Sequence, residues 1–174
     1  MMTVEAFWEE TTGTDLRQGD YLLNCSIPLM LELTDHPDEQ KLPQGKSDLI
    51  IVTQSCDLEN QKVRLVAACP IYPLADYERV NEALARKGRW EEVRKGRVET
   101  LHLLSSPTQP ADNRAALVVD FREIYSLPFE LLTKQAELQQ QRWRLKSPFL
   151  EHFSQAFARF FMRVGLPSAI HPFK

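Results

Sequence analysis

Cysteine is scarce in this chain and poorly spaced for cross-linking: Cys25, Cys56 and Cys69 are its three thiols, and no two of them form a Cys-x-x-Cys pair. That argues against a disulfide framework and against a zinc ribbon, and it leads us to expect reduced thiols. Long apolar runs are missing as well. Segments such as AALVV at 115–119 fall far short of the roughly 20 residues a membrane helix requires. The opening MMTVEAFWEETT has neither the basic nor the apolar region of a signal peptide. A cytoplasmic protein without a membrane anchor, complete from its start, is therefore expected. Nor is there an excess of one charge, since 21 Lys and Arg face 24 Asp and Glu for a net −3. Any nucleic-acid partner would have to be met by a local basic patch. What is present is ordinary globular composition, 43% hydrophobic and 26% charged, which excludes disordered and fibrous classes. A chain of 174 residues is the size of one domain with one substantial core.

Strand signals dominate the first two thirds. Gly19-Asp20 reads as a turn before an apolar strand over 21–27, and Pro28 marks an edge, bulge or bend. Residues 34–47, rich in Pro, Gly, Asp and Lys without periodicity, read as a long surface loop. A buried strand over 48–54, the polar turn SCDLENQK and a second strand over 63–74 suggest a hairpin. Helical spacing of Tyr77, Val80, Leu84, Trp90 and Val93, interrupted by Gly88, predicts two short helices inserted at about 75–96. Strands over 97–106 and 113–127 follow, separated by SPTQPAD, which makes at least five.

The final helix, about 147–165, carries the strongest pattern: Ser147 as N-cap, Pro148 at the first position, Glu151 for a capping box, and Gly165 and Pro167 as terminators. Phe149, Phe153, Ala156, Phe157, Phe160 and Val164 form a wide apolar stripe suited to core packing. His152, Gln155, Arg159 and Arg163 line its flank, either as a solvated face or as a functional row. The basic run from Arg86 to Arg97, interleaved with Trp90, reads either as a solvated helix pair neutralised by Glu82, Glu91 and Glu92 or as a docking patch.

The chemistry-bearing stretch is IIVTQSCDLEN, residues 50–60. Cys56 can be a nucleophile if a base such as His102 or His152 lies near. It can be a metal ligand if Cys25 or Cys69 and a histidine converge on it, or a packed small hydrophobe. Gln54, Ser55 and Asp57 can shape the turn through local hydrogen bonds or can act in a site with Cys56. Arg122, Arg144, Arg159 and Arg163 can supply phosphate-binding charge, with Tyr72 or Trp143 as stacking surfaces.

The order of these features resembles that of a known family. Gly19-Asp20 opens a strand, 49–54 and 63–71 form strands with the second ending in Cys69-Pro70-Ile71, and 117–132 includes DFREIYSLPFELL. This is similar to the PemK/MazF-like family, small SH3-like barrels of bacterial toxin-antitoxin systems. The resemblance implies a mainly β fold with α additions: a single-domain SH3-like barrel over 1–174 with the helical insertion and the C-terminal helix. It implies single-stranded RNA as substrate, a cognate antitoxin or other protein as partner, and a homodimer, with no cofactor or metal. Family members cut RNA with an arginine in the loop before the second strand and a serine or threonine after the Pro-Ile. Here Lys46 and Ser47 stand in the first place and Tyr72 in the second. Lysine offers charge without the planar fork, and a phenol is bulkier than a small alcohol. If RNA is cut, Lys46 and the arginines bind phosphate, and a residue among Gln54, Ser55, Cys56 and Asp57, or His102, moves the proton. The alternative is an inactive barrel retained as a protein-interaction or regulatory module. The chain also resembles a group of bacterial proteins without an assigned function that share the Q-S-C-D-L turn, here 54–58, and a final helix with S-Q-A-F-A-R-F, here 154–160.

Overall fold

Gly19 and Asp20 are where the chain is tied together. Gly19 adopts φ +83°, and a Cβ placed there would lie 2.9 Å from the side chains of Leu145 and Leu150, so glycine is required both for conformation and for space. Its N–H donates to Ile51 O (2.9 Å) and its carbonyl accepts from Leu145 N (3.0 Å), which joins two strands that are distant in sequence. The computed structural model describes residues 6–29, 44–60 and 62–162. Among the described residues there are eight strands: β1 (Trp8–Thr12), β2 (Asp20–Pro28), β3 (Gln44–Ile51), β4 (Leu65–Pro73), β5 (Leu101–Leu104), β6 (Leu117–Asp120), β7 (Tyr125–Pro128) and β8 (Gln141–Leu145). They form one antiparallel sheet in the order β1-β8-β2-β3-β4-β6-β5, with β7 paired to β4.

The fold is thus mainly β with helical additions, and its sheet does not close by backbone pairing among the described residues. It does curl. Trp8 of β1 donates its indole N–H to Ser105 O, just beyond β5, at 2.7 Å, so the two ends of the strand order meet through a side chain. Alternating residues divide between the two faces, as strand geometry requires. Tyr21, Ile50, Cys69, Ile71, Val119 and Leu145 pack on one face beneath the long helix α5 (Phe149–Phe161). Leu22, Leu49, Ile51, Val66 and Ala68 pack on the other face, against α1 (Ser55–Glu59) and α4 (Phe129–Gln139). Burial on both faces explains the unbroken apolar run of 49–52. The insertion forms α2 (Leu74–Val80), a 3-10 turn and α3 (Arg89–Arg94), which cover β5 and β6 through Leu74, Tyr77, Leu84 and Val93.

Several expectations need correction. Residues 44–47 belong to β3 rather than to a loop, and 34–43 lie outside the described residues. SCDLENQK is not a simple turn, because its first five residues make α1, held on the core by Leu58. The strand expected over 97–106 is confined to Leu101–Leu104. The one expected over 113–127 breaks into β6 and β7, because Asp120 is drawn inward by Tyr77 and Arg122 and the chain turns there. Pro148, not Ser147, occupies the N-cap position of α5. The Ser147 hydroxyl instead donates to the Glu151 carboxylate at 2.6 Å. Arg163, Val164, Gly165 and Pro167 lie outside the described residues.

Asp20 is fully buried between two arginines of β8. Arg142, equally buried, donates to it at 3.0 Å, and Arg144 donates to the same carboxylate oxygen at 2.9 Å. Arg142 also donates to the carbonyls of Gly13 and Asp15, so the β1–β2 connection is clamped onto β8. Removing one member leaves an uncompensated buried charge. We expect Asp20→Asn to lower the unfolding free energy in urea by about 3–5 kcal/mol. Arg79→Ala, which breaks an exposed ion pair with Asp76, should change it by less than about 0.5 kcal/mol.

Candidate functional site

The residues singled out by sequence fall into four places. The first is α1. Gln54 precedes it, and Ser55 spends its hydroxyl accepting from Gln18 N at 3.1 Å. The Gln18 side chain in turn donates to Val52 O (3.1 Å) and to Ser154 of α5 (3.4 Å). Gln18 therefore bridges the Q-S-C-D-L segment and the final helix, a link no local pattern revealed. Cys56 is exposed, with Sγ 3.8 Å from both Gln54 Oε1 and Asp57 Oδ1, and no histidine or arginine bonds to it among the described residues. Cys25 and Cys69 are buried in opposite faces of the sheet, and burial pushes both thiols up to about 12. No group of three or more His, Cys, Asp or Glu converges for a metal among the described residues.

The second place is a hollow of about 220 Å³ shared by Lys46 and Tyr72, with Asn24 and Asp48 beside them. Lys46 donates to Ser26 Oγ at 2.8 Å, and Tyr72 donates to Glu123 at 3.3 Å. Burial, then the Glu123 charge, raises the Tyr72 phenol, so it remains a hydrogen-bond donor. The third group, Arg122 and Arg144, occupies two separate points of the fold, and both guanidinium groups are already engaged. Arg144 is locked on Asp20, and Arg122 forks onto Asp120 with bonds of 2.9 and 2.7 Å. Burial by itself would raise Asp120, but Arg122 and Tyr77 together hold it below the ordinary carboxylate value. Trp143, half-buried, packs against the core beneath α5.

The fourth place is a cleft, and it is the one that gathers groups from separate segments. It lies between α5, β5 and the turn after α3, with a volume of about 340 Å³. Arg94, Lys95, His102, His152, Gln155 and Arg159 supply its polar lining, together with Glu99. Phe7 and Phe149, stacked with ring centroids 3.7 Å apart, form part of its apolar wall. His152 and Arg159 arrive from the flank of α5, spaced seven residues apart on one side of the helix. His102 sits at the base, stacked on Phe121 at 6.0 Å and edge-on to Phe153 at 5.7 Å. Neither ring nitrogen has a hydrogen-bond partner among the described residues. Burial first, then the proximity of His152 and Arg159, pushes His102 down to about 4, so it is neutral near pH 7.

The basic run of the insertion serves two ends. Arg94 and Lys95 pair with Glu91, and Arg97 pairs with Glu92, as a solvated mixed-charge helix does. Arg94 and Lys95 nevertheless also face the cleft. Trp90 is not a free stacking surface: its indole donates to Glu78 at 2.9 Å and its ring packs on the insertion core. The chain matches no protein-family model and no curated protein sequence.

The neutral state of His102 makes a stability prediction. Between its ordinary value of 6.5 and about 4, the unfolded chain binds a proton that the native protein does not, so stability falls as pH drops through that window. His102→Phe removes this contribution while keeping an aromatic ring among Phe121 and Phe153. The drop in Tm between neutral pH and about pH 5 should shrink by a few degrees, since about 1 kcal/mol moves Tm by roughly 2–4 °C at this size. An unchanged drop in the variant would contradict the assignment.

Proposed function

We propose that the protein binds single-stranded RNA, and that the cleft bounded by α5 and β5 is where the phosphate backbone is met. The observation that carries this reading is the convergence of three cationic side chains and two imidazoles from three chain segments on one hollow. A chain of net charge −3 has to concentrate positive charge locally if it is to hold a polyanion. Lys95 and Arg159 would neutralise phosphate, and the apolar wall at Phe7 and Phe149 would take a base or ribose. In this reading the curled sheet is a diverged SH3-like, PemK/MazF-like barrel, and the setting is a bacterial toxin-antitoxin or defence system. Support comes from the Gly19-Asp20 opening, from the hairpin of β3 and β4, and from the Trp8 bond to Ser105 that draws the sheet round. Should the protein cut RNA, the proton-moving group would be His102, an unprotonated imidazole with free nitrogens, in preference to Cys56.

A second reading, a barrel kept as a protein-interaction module, is favoured by a specific observation. Arg122 and Arg144 are closed on Asp120 and Asp20, and Lys46 is bonded to Ser26, so three of the charges expected at phosphate are engaged within the protein. In that case a cognate antitoxin or another protein would be the partner, with the protein itself as a homodimer.

The two readings separate in a polarisation assay with labelled oligouridylate. Between about 50 and 200 mM salt, the RNA reading expects the logarithm of affinity to fall against log salt with a slope of about −1.4, about −0.7 for each of the two charges Lys95 and Arg159 on a single strand. Arg159→Ala should reduce the slope by about 0.7, and Cys56→Ala should leave it alone. Absent or salt-independent binding would remove the RNA reading. Any cleavage of end-labelled RNA should be lost in His102→Ala and kept in Cys56→Ala.

A further inference from the structure

We infer that the cleft at His102 takes a phosphate monoester, the terminal phosphate of an RNA strand or of a nucleotide, rather than an internal phosphodiester. This inference rests on reading the cleft as the RNA-contacting surface, and it specifies which part of the strand enters.

Three features of the cleft carry it. The first is size, because about 340 Å³ lies at the low end of small-molecule pockets and holds about one nucleotide, not a strand passing through. The second is charge. Arg94, Lys95 and Arg159 line the cleft together with Glu99, and Arg94 and Lys95 also share Glu91. Two imidazoles, His152 and His102, complete the set. An internal diester brings one negative charge, whereas a monoester brings close to two near neutral pH, with three strong acceptor oxygens. The third is His102 itself, a partly buried lining residue of the cleft with no hydrogen-bond partner among the described residues. From α5, His152 and Arg159 both act on it so as to disfavour its protonation. A dianion placed among them reverses that field. His102 then gains both a counter-charge and an acceptor, so it takes up a proton on binding and donates to a phosphate oxygen.

This makes the monoester, and not the diester, the group whose binding is linked to proton uptake. It also assigns the aromatic wall a place, because the base or ribose next to the phosphate would lie against Phe149 and Phe7.

The test is calorimetry near pH 6.5 with four probes: inorganic phosphate, uridine 5′-monophosphate, hexauridylate with a 5′-phosphate and hexauridylate with a 5′-hydroxyl, each in two buffers of different ionisation enthalpy. The phosphorylated hexamer should bind about tenfold tighter than the hydroxyl-ended one, the ratio set by an added charge-assisted hydrogen bond. Its binding should take up a fraction of a proton, and that uptake should vanish in His102→Gln while the fold, read by circular dichroism, is kept. Equal affinity of the two hexamers, both with the salt slope expected of RNA, would overturn the monoester inference and leave the RNA reading standing. Binding of uridine 5′-monophosphate without either hexamer would support the monoester and remove the RNA reading. No binding by any probe would overturn both. Uptake that persists in His102→Gln would overturn the role given to His102.

Discussion

A single buried carboxylate organises this molecule. Asp20 lies between Arg142 and Arg144 with no exposure of its own, and those arginines reach on to the carbonyls of the β1–β2 connection. Two guanidinium groups on alternate residues of β8 point to the same side of the strand, as a period of two dictates. They can be placed there only because Asp20 meets both and because Gly19 lets β8 approach. A charge cluster of this kind is costly to desolvate and gains little over an apolar filling, but once it is built none of its members can be removed alone. It thereby specifies which strand lies beside β2, and so where the chain after β8 emerges to begin α5.

The cleft follows from that placement. α5 starts from the end of β8, lays Phe149, Phe153, Phe157 and Phe160 along one face of the sheet, and leaves His152 and Arg159 at the edge of the packed stripe. The curl of the sheet brings β5 to the same edge, pinned by the Trp8 bond to Ser105, and the insertion adds Arg94 and Lys95 from the turn that precedes β5. Core and site share residues: the ring of His102 stacks on Phe121 and meets Phe153 of α5 edge-on, and both phenylalanines belong to the core beneath α5. Aromatic packing fixes the imidazole and burial of its ring keeps it neutral, while its nitrogens are not among the buried polar atoms left without a partner in the described residues.

The parts of the fold legible in the sequence are those whose signal is local. The apolar run within 48–54 announces a buried strand, and the phenylalanine spacing announces α5. β1 was silent because Trp8–Thr12 has one buried residue among polar neighbours, which no periodicity separates from a loop. The break between β6 and β7 was hidden because Asp120 looks like any strand polar residue until Tyr77 and Arg122 are seen to hold it. α1 is indistinguishable from a turn in sequence, because a five-residue helix with only Leu58 buried carries too little pattern. His102 and the flank of α5 could each be picked out singly, but their meeting depends on the curl of the sheet. The role of Arg142 carries only a faint local signal, the alternation of Arg142 and Arg144 about Trp143, because its partner Asp20 is distant in sequence.

The central claim is that the surface which meets nucleic acid is this cleft and not the Q-S-C-D-L helix or the Lys46 hollow. Amide hydrogen exchange with and without saturating 5′-phosphorylated hexauridylate tests it most directly. The account predicts slower exchange over 95–104 and 149–159, with 54–60 and 44–48 unchanged. Protection confined to 54–60 or to the Lys46 strand, with the cleft unaffected, would contradict it.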